Sequence, residues 1–141
     1  MEKTGRSVDE FVAQVTPAKR RTDAETVVAM MRDISGREPE MWSASIIGFG
    51  ACHYRYPTGT EGDVPVLGFS PRKASTTIYL DRADGYPELM AELGPHTIGA
   101  SCLYIKDLAA VDQDVLRRIL VECHRRTMAG DLPSAEITIL D

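Results

Sequence analysis

The sequence has little that would staple, anchor or wrap. Its three cysteines, Cys52, Cys102 and Cys123, are odd in number and far apart. That excludes a closed disulfide framework, a CxxC redox pair and a zinc knuckle, and it predicts a reducing, cytoplasmic setting. Long apolar runs are missing as well. The most apolar stretch, residues 46–52 (IIGFGAC), falls far below the ~18 residues of a membrane helix and is broken by two glycines. No apolar h-region opens the chain (MEKTGRSVDEFVAQV), so no secretory signal is expected. Nor is there a cationic excess. With 16 Lys+Arg against 21 Asp+Glu the net charge is −5, which removes the usual electrostatic basis for holding nucleic acid. Glycine-rich phosphate loops and GxSxG elbows do not occur, and no internal repeat is present.

What remains is a globular composition. The 141 residues are 43% hydrophobic and 26% charged, which suits a single domain with its own core. We take residues 1–141 as one domain, with a core of about 7–129 and a C-terminal tail of 130–141. Ser7-Val-Asp-Glu10 reads as a capping box opening a short helix that presents Phe11, Val12 and Val15. A second helix is expected to begin with Thr16 as cap and Pro17 in its first turn. The alternative is a start at the second capping box, Thr22 to Glu25. Its apolar stripe is Ala24, Val27, Val28, Met31 and Ile34, and Ser35-Gly36 stops it.

Beyond residue 42 the pattern turns extended. His53 to Tyr56 alternates, 57–63 is dense in turn formers, 65–70 is a further run, and 75–81 (STTIYLD) is the clearest strand. The four-residue link 71–74 predicts antiparallel pairing. Tyr86, Leu89, Met90 and Leu93 mark a short helix closed by Gly94-Pro95, and 101–106 (SCLYIK) is another strand. Asp112 caps the last long helix, with Val111 and Leu116 as a hydrophobic staple and Leu116, Ile119, Leu120, Cys123 and Thr127 as its stripe. Arg118, Glu122 and Arg126 are expected on its outside. Residues 135–140 alternate weakly, as an added edge strand or a loose end. The expected class is α+β, an antiparallel sheet of four to five strands with helices packed on one face.

Capable polar residues concentrate between Met41 and Lys106. Alternation puts Cys52, Tyr54 and Tyr56 on one face of a strand and His53 and Arg55 on the other. Arg55, Arg72 and Lys73 would serve an anionic group, with Ser70 and tyrosine hydroxyls orienting it. The same residues also read as a solvated turn whose cations balance Glu61, Asp63 and Asp81. Glycines at 48 and 50 suggest close backbone packing or a bulge rather than a phosphate cradle. No metal-ligand spacing occurs. Asp81, Asp84, Glu88 and Glu92 would attract a cation weakly, or simply form a wet helix start. Cys102, with His96 six residues upstream, is a candidate nucleophile or a small core residue.

A family resemblance attaches to these segments. Residues 41–50 (MWSASIIGFG), Tyr54-Arg-Tyr56, Glu61-Gly-Asp63, 68–73 (GFSPRK) and 99–105 (GASCLYI) resemble the YdhG-like domain, a bacterial family of unknown function. The resemblance implies a compact α+β domain and brings no catalytic residue with it. It points to Tyr54, Arg55, Tyr56, Ser70, Arg72, Lys73, Ser101, Cys102 and Tyr104 as site positions, and to iron handling as an alternative activity. Relatives commonly carry several lysines before SCLYI, where this chain reads 94–101 (GPHTIGAS), without positive charge at 95, 97 and 100. Val64 replaces the family's tryptophan.

The expected function is therefore a non-enzymatic cytoplasmic binding module, monomeric or homodimeric, for a small anionic ligand or a protein partner. The expected ligand residues are Tyr54, Arg55, Ser70, Arg72, Lys73, Ser101, Cys102 and Tyr104. No cofactor, nucleic-acid or membrane partner is expected. Intracellular iron delivery and a thiol-dependent enzyme using Cys102 are the alternatives.

Overall fold

A computed structural model describes residues 1–132 and 135–140. Two helices lead the chain, α1 (Val8–Ala13) and α2 (Ala18–Ser35). The Ser7 hydroxyl caps α1 by accepting from the Glu10 amide at 3.2 Å. Pro17 stands one position earlier than expected: it is the residue that precedes α2, with no side-chain cap. Gly36 ends α2 with φ of 68°, a left-handed stop that glycine adopts without a Cβ clash.

Six strands then build one sheet: β1 (Glu40–Trp42), β2 (Ile46–Phe49), β5 (Leu67–Pro71), β6 (Thr76–Tyr79), β7 (Thr97–Ile98) and β8 (Cys102–Ile105). Their spatial order is β1-β2-β5-β6-β8-β7, every neighbour antiparallel. A second, three-stranded antiparallel sheet has the order β4-β3-β9, from β3 (Cys52–Arg55), β4 (Glu61–Val64) and β9 (Glu136–Ile139). The class is α+β, as expected, but the single sheet of four to five strands becomes six strands plus three. β1 and β7 are too short to show alternation, and β4 (EGDV) is hidden in a stretch of turn formers. The weak alternation of the tail is an edge strand, β9, paired with β3. Pro133, Ser134 and Asp141 of that tail lie outside the described residues.

The short helix α3 (Pro87–Leu93) and the long helix α4 (Gln113–Ala129) complete the order. The Asp112 carboxylate caps α4 by accepting from the amides of Asp114 and Val115 at 3.0 and 3.2 Å. Its predicted stripe is buried throughout. The helices cover one face of the six-stranded sheet, where Met41, Ile47, Phe49, Leu67, Phe69, Ile78, Leu103 and Ile105 meet Val27, Met31, Leu116 and Ile119. Removing this apolar surface from water is the main stabilising contribution to the fold. No described helix is long and apolar enough to cross a membrane.

Candidate functional site

Strand alternation leaves the other face of the large sheet without helices. Two rows of side chains cross it. In one, Gly48, Gly68, Tyr79 and Cys102 are successive cross-strand neighbours. In the other, Ser70, Thr77, Tyr104 and Thr97 are. The paired glycines make room for a cover. A Cβ on Gly48 would lie 2.5 Å from the Pro65 Cβ and 2.6 Å from the Trp42 indole, closer than atoms tolerate. Trp42 and Pro65 therefore pack directly on the strands, which bears out the reading of Gly48 as a close-packing position.

Further along the first row this face becomes polar. Arg72, from the β5–β6 turn, reaches along the sheet and donates to the Tyr79 hydroxyl at 3.3 Å. Cys102 is the cross-strand neighbour of Tyr79. Its thiol holds the nearby Tyr104 phenol above its usual range, while the Arg72 charge opposes the shift. No ion pair joins Arg72 to a carboxylate among the described residues. Beneath this group Thr77, only 3% exposed, has a hydroxyl without a hydrogen-bond partner.

Tyr79 also borders a cavity of about 330 Å³ that lies where the two sheets meet. The small sheet supplies Cys52, Tyr54, Val64 and Ile137, with Tyr56 just beyond β3; the large sheet supplies Ile46, Gly68 and Tyr79; Cys123 and Thr127 come from α4. Asp81, Arg82 and Ser101 add polar groups from the loops after β6 and before β8. A mostly apolar chamber of this size with a few converging polar atoms has the character of a small-molecule pocket. Tyr54 and Tyr56 stack on each other at 5.4 Å with a tilt of 58°.

The chamber's inner wall carries a buried charge network. The Asp81 side chain is 5% exposed, and its Oδ1 accepts from the Tyr86 hydroxyl. Arg126 Nη1 stands 3.7 Å from Oδ2. Its guanidinium lies over the Tyr86 ring at 4.4 Å and donates to the Gly85 carbonyl and to Glu122. Burial raises the Tyr86 phenol and pushes the Cys123 thiol up to about 12, with Asp81 adding to both. Burial likewise pushes Cys52 up to about 11. Both cavity thiols are thus protonated at neutral pH, which disfavours either as a nucleophile.

The eight expected site residues divide. Arg72, Cys102 and Tyr104 meet around Tyr79. Tyr54 and Ser101 line the adjoining cavity. Ser70 lies under the face, fully buried, donating to the Ser45 hydroxyl at 3.2 Å. Lys73 points elsewhere, into a groove with Arg6, Phe11 and Gln14. Arg55 is on the outer face of the small sheet, directly across from Glu61 and Glu136, where two carboxylates would repel an anion. His96 hydrogen-bonds the Gly94 carbonyl at 2.7 Å rather than Cys102. The carboxylates weighed for a cation do not converge: Asp81 turns in to Tyr86, and Asp84 is held by Arg82 at 3.1 Å. Among the described residues no group of three His, Cys, Asp or Glu is arranged to hold a metal ion.

Four residues here were not expected as ligand positions: Tyr79, Asp81, Cys123 and Arg126. For two of them a signal existed, since Tyr79 and Asp81 are two apart in the clearest strand and so share a face. Arg126, expected on the outside of α4, reaches the Gly85 carbonyl and stands beside Asp81. Comparison of the chain with protein-family models, with curated proteins and with solved structures finds no match.

Proposed function

We propose that this protein is a non-enzymatic cytoplasmic binding module for a small amphipathic anion, and that it is a divergent YdhG-like domain. The apolar part of the ligand occupies the chamber between the sheets, and its carboxylate or phosphate pairs with Arg72 at the edge formed by Tyr79. The observation that carries this reading is Arg72 itself. It is a guanidinium held on the phenol of Tyr79, not on a described carboxylate, and Tyr79 lines the cavity of about 330 Å³. Arginine's planar fork retains donors for an anion in that position. The segments of the resemblance support the same location, because GFSPRK supplies Arg72 and GASCLYI supplies Ser101, Cys102 and Tyr104. No described carboxylate arrangement favours iron delivery over this reading.

The test uses 3-phenylpropionate and its methyl ester, titrated calorimetrically into the protein. The acid is expected to bind and the ester to bind more weakly by roughly 1 kcal/mol or more. Arg72→Gln, an exposed change, should remove that difference and leave the fold intact. Equal binding of acid and ester, or none, ends the proposal.

A further inference from the structure

The chamber's inner end has a chemistry of its own. A carboxylate offers about four acceptor sites. Asp81 Oδ1 accepts from Tyr86, but the nearest cation to Oδ2, Arg126, is 3.7 Å away, outside hydrogen-bond reach. Three of the five Arg126 N–H groups go to Glu122 and the Gly85 carbonyl at 3.1 and 3.2 Å, and these bonds hold Nη1 3.7 Å from Oδ2. The Cys123 thiol packs against the same carboxylate and is a weak donor. Asp81 Oδ2 thus takes no hydrogen bond from a described residue, and Asp81 lines the cavity with its side chain 5% exposed. Unmet acceptors on a buried charge are costly, and a donor arriving there gains more than it would in water.

Resting on the binding-module reading above, we infer that this end of the cavity is a hydroxyl-reading subsite. Asp81 Oδ2 accepts a neutral O–H from the far end of the ligand, so the preferred ligands are hydroxylated carboxylic acids such as phenolic acids. The donor is neutral because Arg126 already balances the Asp81 charge and would repel an ammonium group. Tyr86 shows the mode on the other oxygen, where a phenol hydroxyl donates to the same carboxylate. Ser101 and Thr127 line the same chamber and add hydroxyls beside the polar end.

Three probes decide it on the unmodified protein: 3-phenylpropionate, 3-(4-hydroxyphenyl)propionate and 3-(4-methoxyphenyl)propionate, compared by calorimetry. The phenol is expected to bind roughly tenfold to a hundredfold tighter than the parent. The methoxy compound, which cannot donate, should gain nothing over the parent. Asp81→Asn should shrink the phenol's advantage; the probe series does not depend on that variant folding. If the parent binds and the phenol gains nothing, the subsite is wrong and the binding module stands. If none of the three binds, the module fails and the subsite falls with it.

Discussion

Thr76 and Thr77 are neighbours in the chain and stand on opposite faces of the same strand. Thr76 faces the helices, where its hydroxyl accepts from buried Arg20 at 3.3 Å. Arg20 also donates to Asp23 and to the Lys106 carbonyl, and Asp23 accepts from the Leu108 amide. Polar groups under the helices are thus tied into a network that fastens α2 to the ends of β6 and β8, with Arg20 Nε the one atom there left over. Thr77 faces away from the helices, just as deeply buried, and its hydroxyl has no partner. The Trp42 indole nitrogen on that side has none either. One face of the sheet ties its polar groups into a network, whereas the other holds the unpartnered Thr77 hydroxyl and Trp42 indole nitrogen and borders the cavity. Natural interiors rarely leave such groups unpaired, and the proposed site lies on the second face.

The contrast can be broken by mutation. Its largest expected effect is on the helix face: Phe69→Ala, at a fully buried position, should cost about 3–5 kcal/mol in denaturant unfolding. A loss below 1 kcal/mol would mean that the helices do not pack there as described. On the open face the opposite change is the damaging one. Gly48→Ala places a methyl into Trp42 and Pro65 and should cost about 1–3 kcal/mol through overpacking. The threonine pair then gives a sign test by the same measurement. Thr76→Val should destabilise by about 1–3 kcal/mol, because it strips an acceptor from a buried guanidinium. Thr77→Val should be neutral to about 1 kcal/mol stabilising, because it removes a hydroxyl that nothing satisfies. Equal losses for the two would erase the difference between the faces.

How much of this was legible follows the same division. The helix-face stripe of α4 could be read residue by residue, because a 3.6-residue period in apolar side chains is a local signal. The antiparallel pairing of β5 and β6 followed from a four-residue link. The second sheet did not show in the sequence, since β4 is Glu-Gly-Asp-Val and takes its strand form from pairing with β3, a tertiary cause that overrides propensity. Convergence was likewise hidden. Arg72 and Lys73 are adjacent in sequence, yet one lies along the sheet and the other beside α1. Asp81 and Arg126 are distant in sequence and meet only in the tertiary fold. Charge type can nominate residues for a site, but only topology chooses among them.

The small sheet repeats the contrast between faces in a form that responds to pH. Its inner face presents Cys52 and Tyr54 to the cavity, and with Cys52 raised to about 11 that thiol stays neutral across the physiological range. Its outer face holds His53 between Asp63, at 2.6 Å from Nδ1, and Glu61, at 2.9 Å from Nε2. Two carboxylates on the two ring nitrogens require both to be donors, hence the imidazolium. These hydrogen bonds, Asp63 first and Glu61 second, raise the His53 value above its ordinary 6.5. The sign follows from linkage: a folded value above the unfolded one gives stabilisation that is full below the unfolded pKa and is lost as pH rises through the folded value. His53→Gln should therefore lower the thermal midpoint most at about pH 5.5, where the histidine is charged. The gap to the unmodified protein should close towards about pH 9, as the imidazole becomes neutral and keeps a single donor. The effect is small, because the pair of contacts sits at the surface where solvent screens it. A gap that stayed constant across this range would mean that His53 holds β3 to β4 by packing alone, and the outer face would then lose its distinction from the inner one.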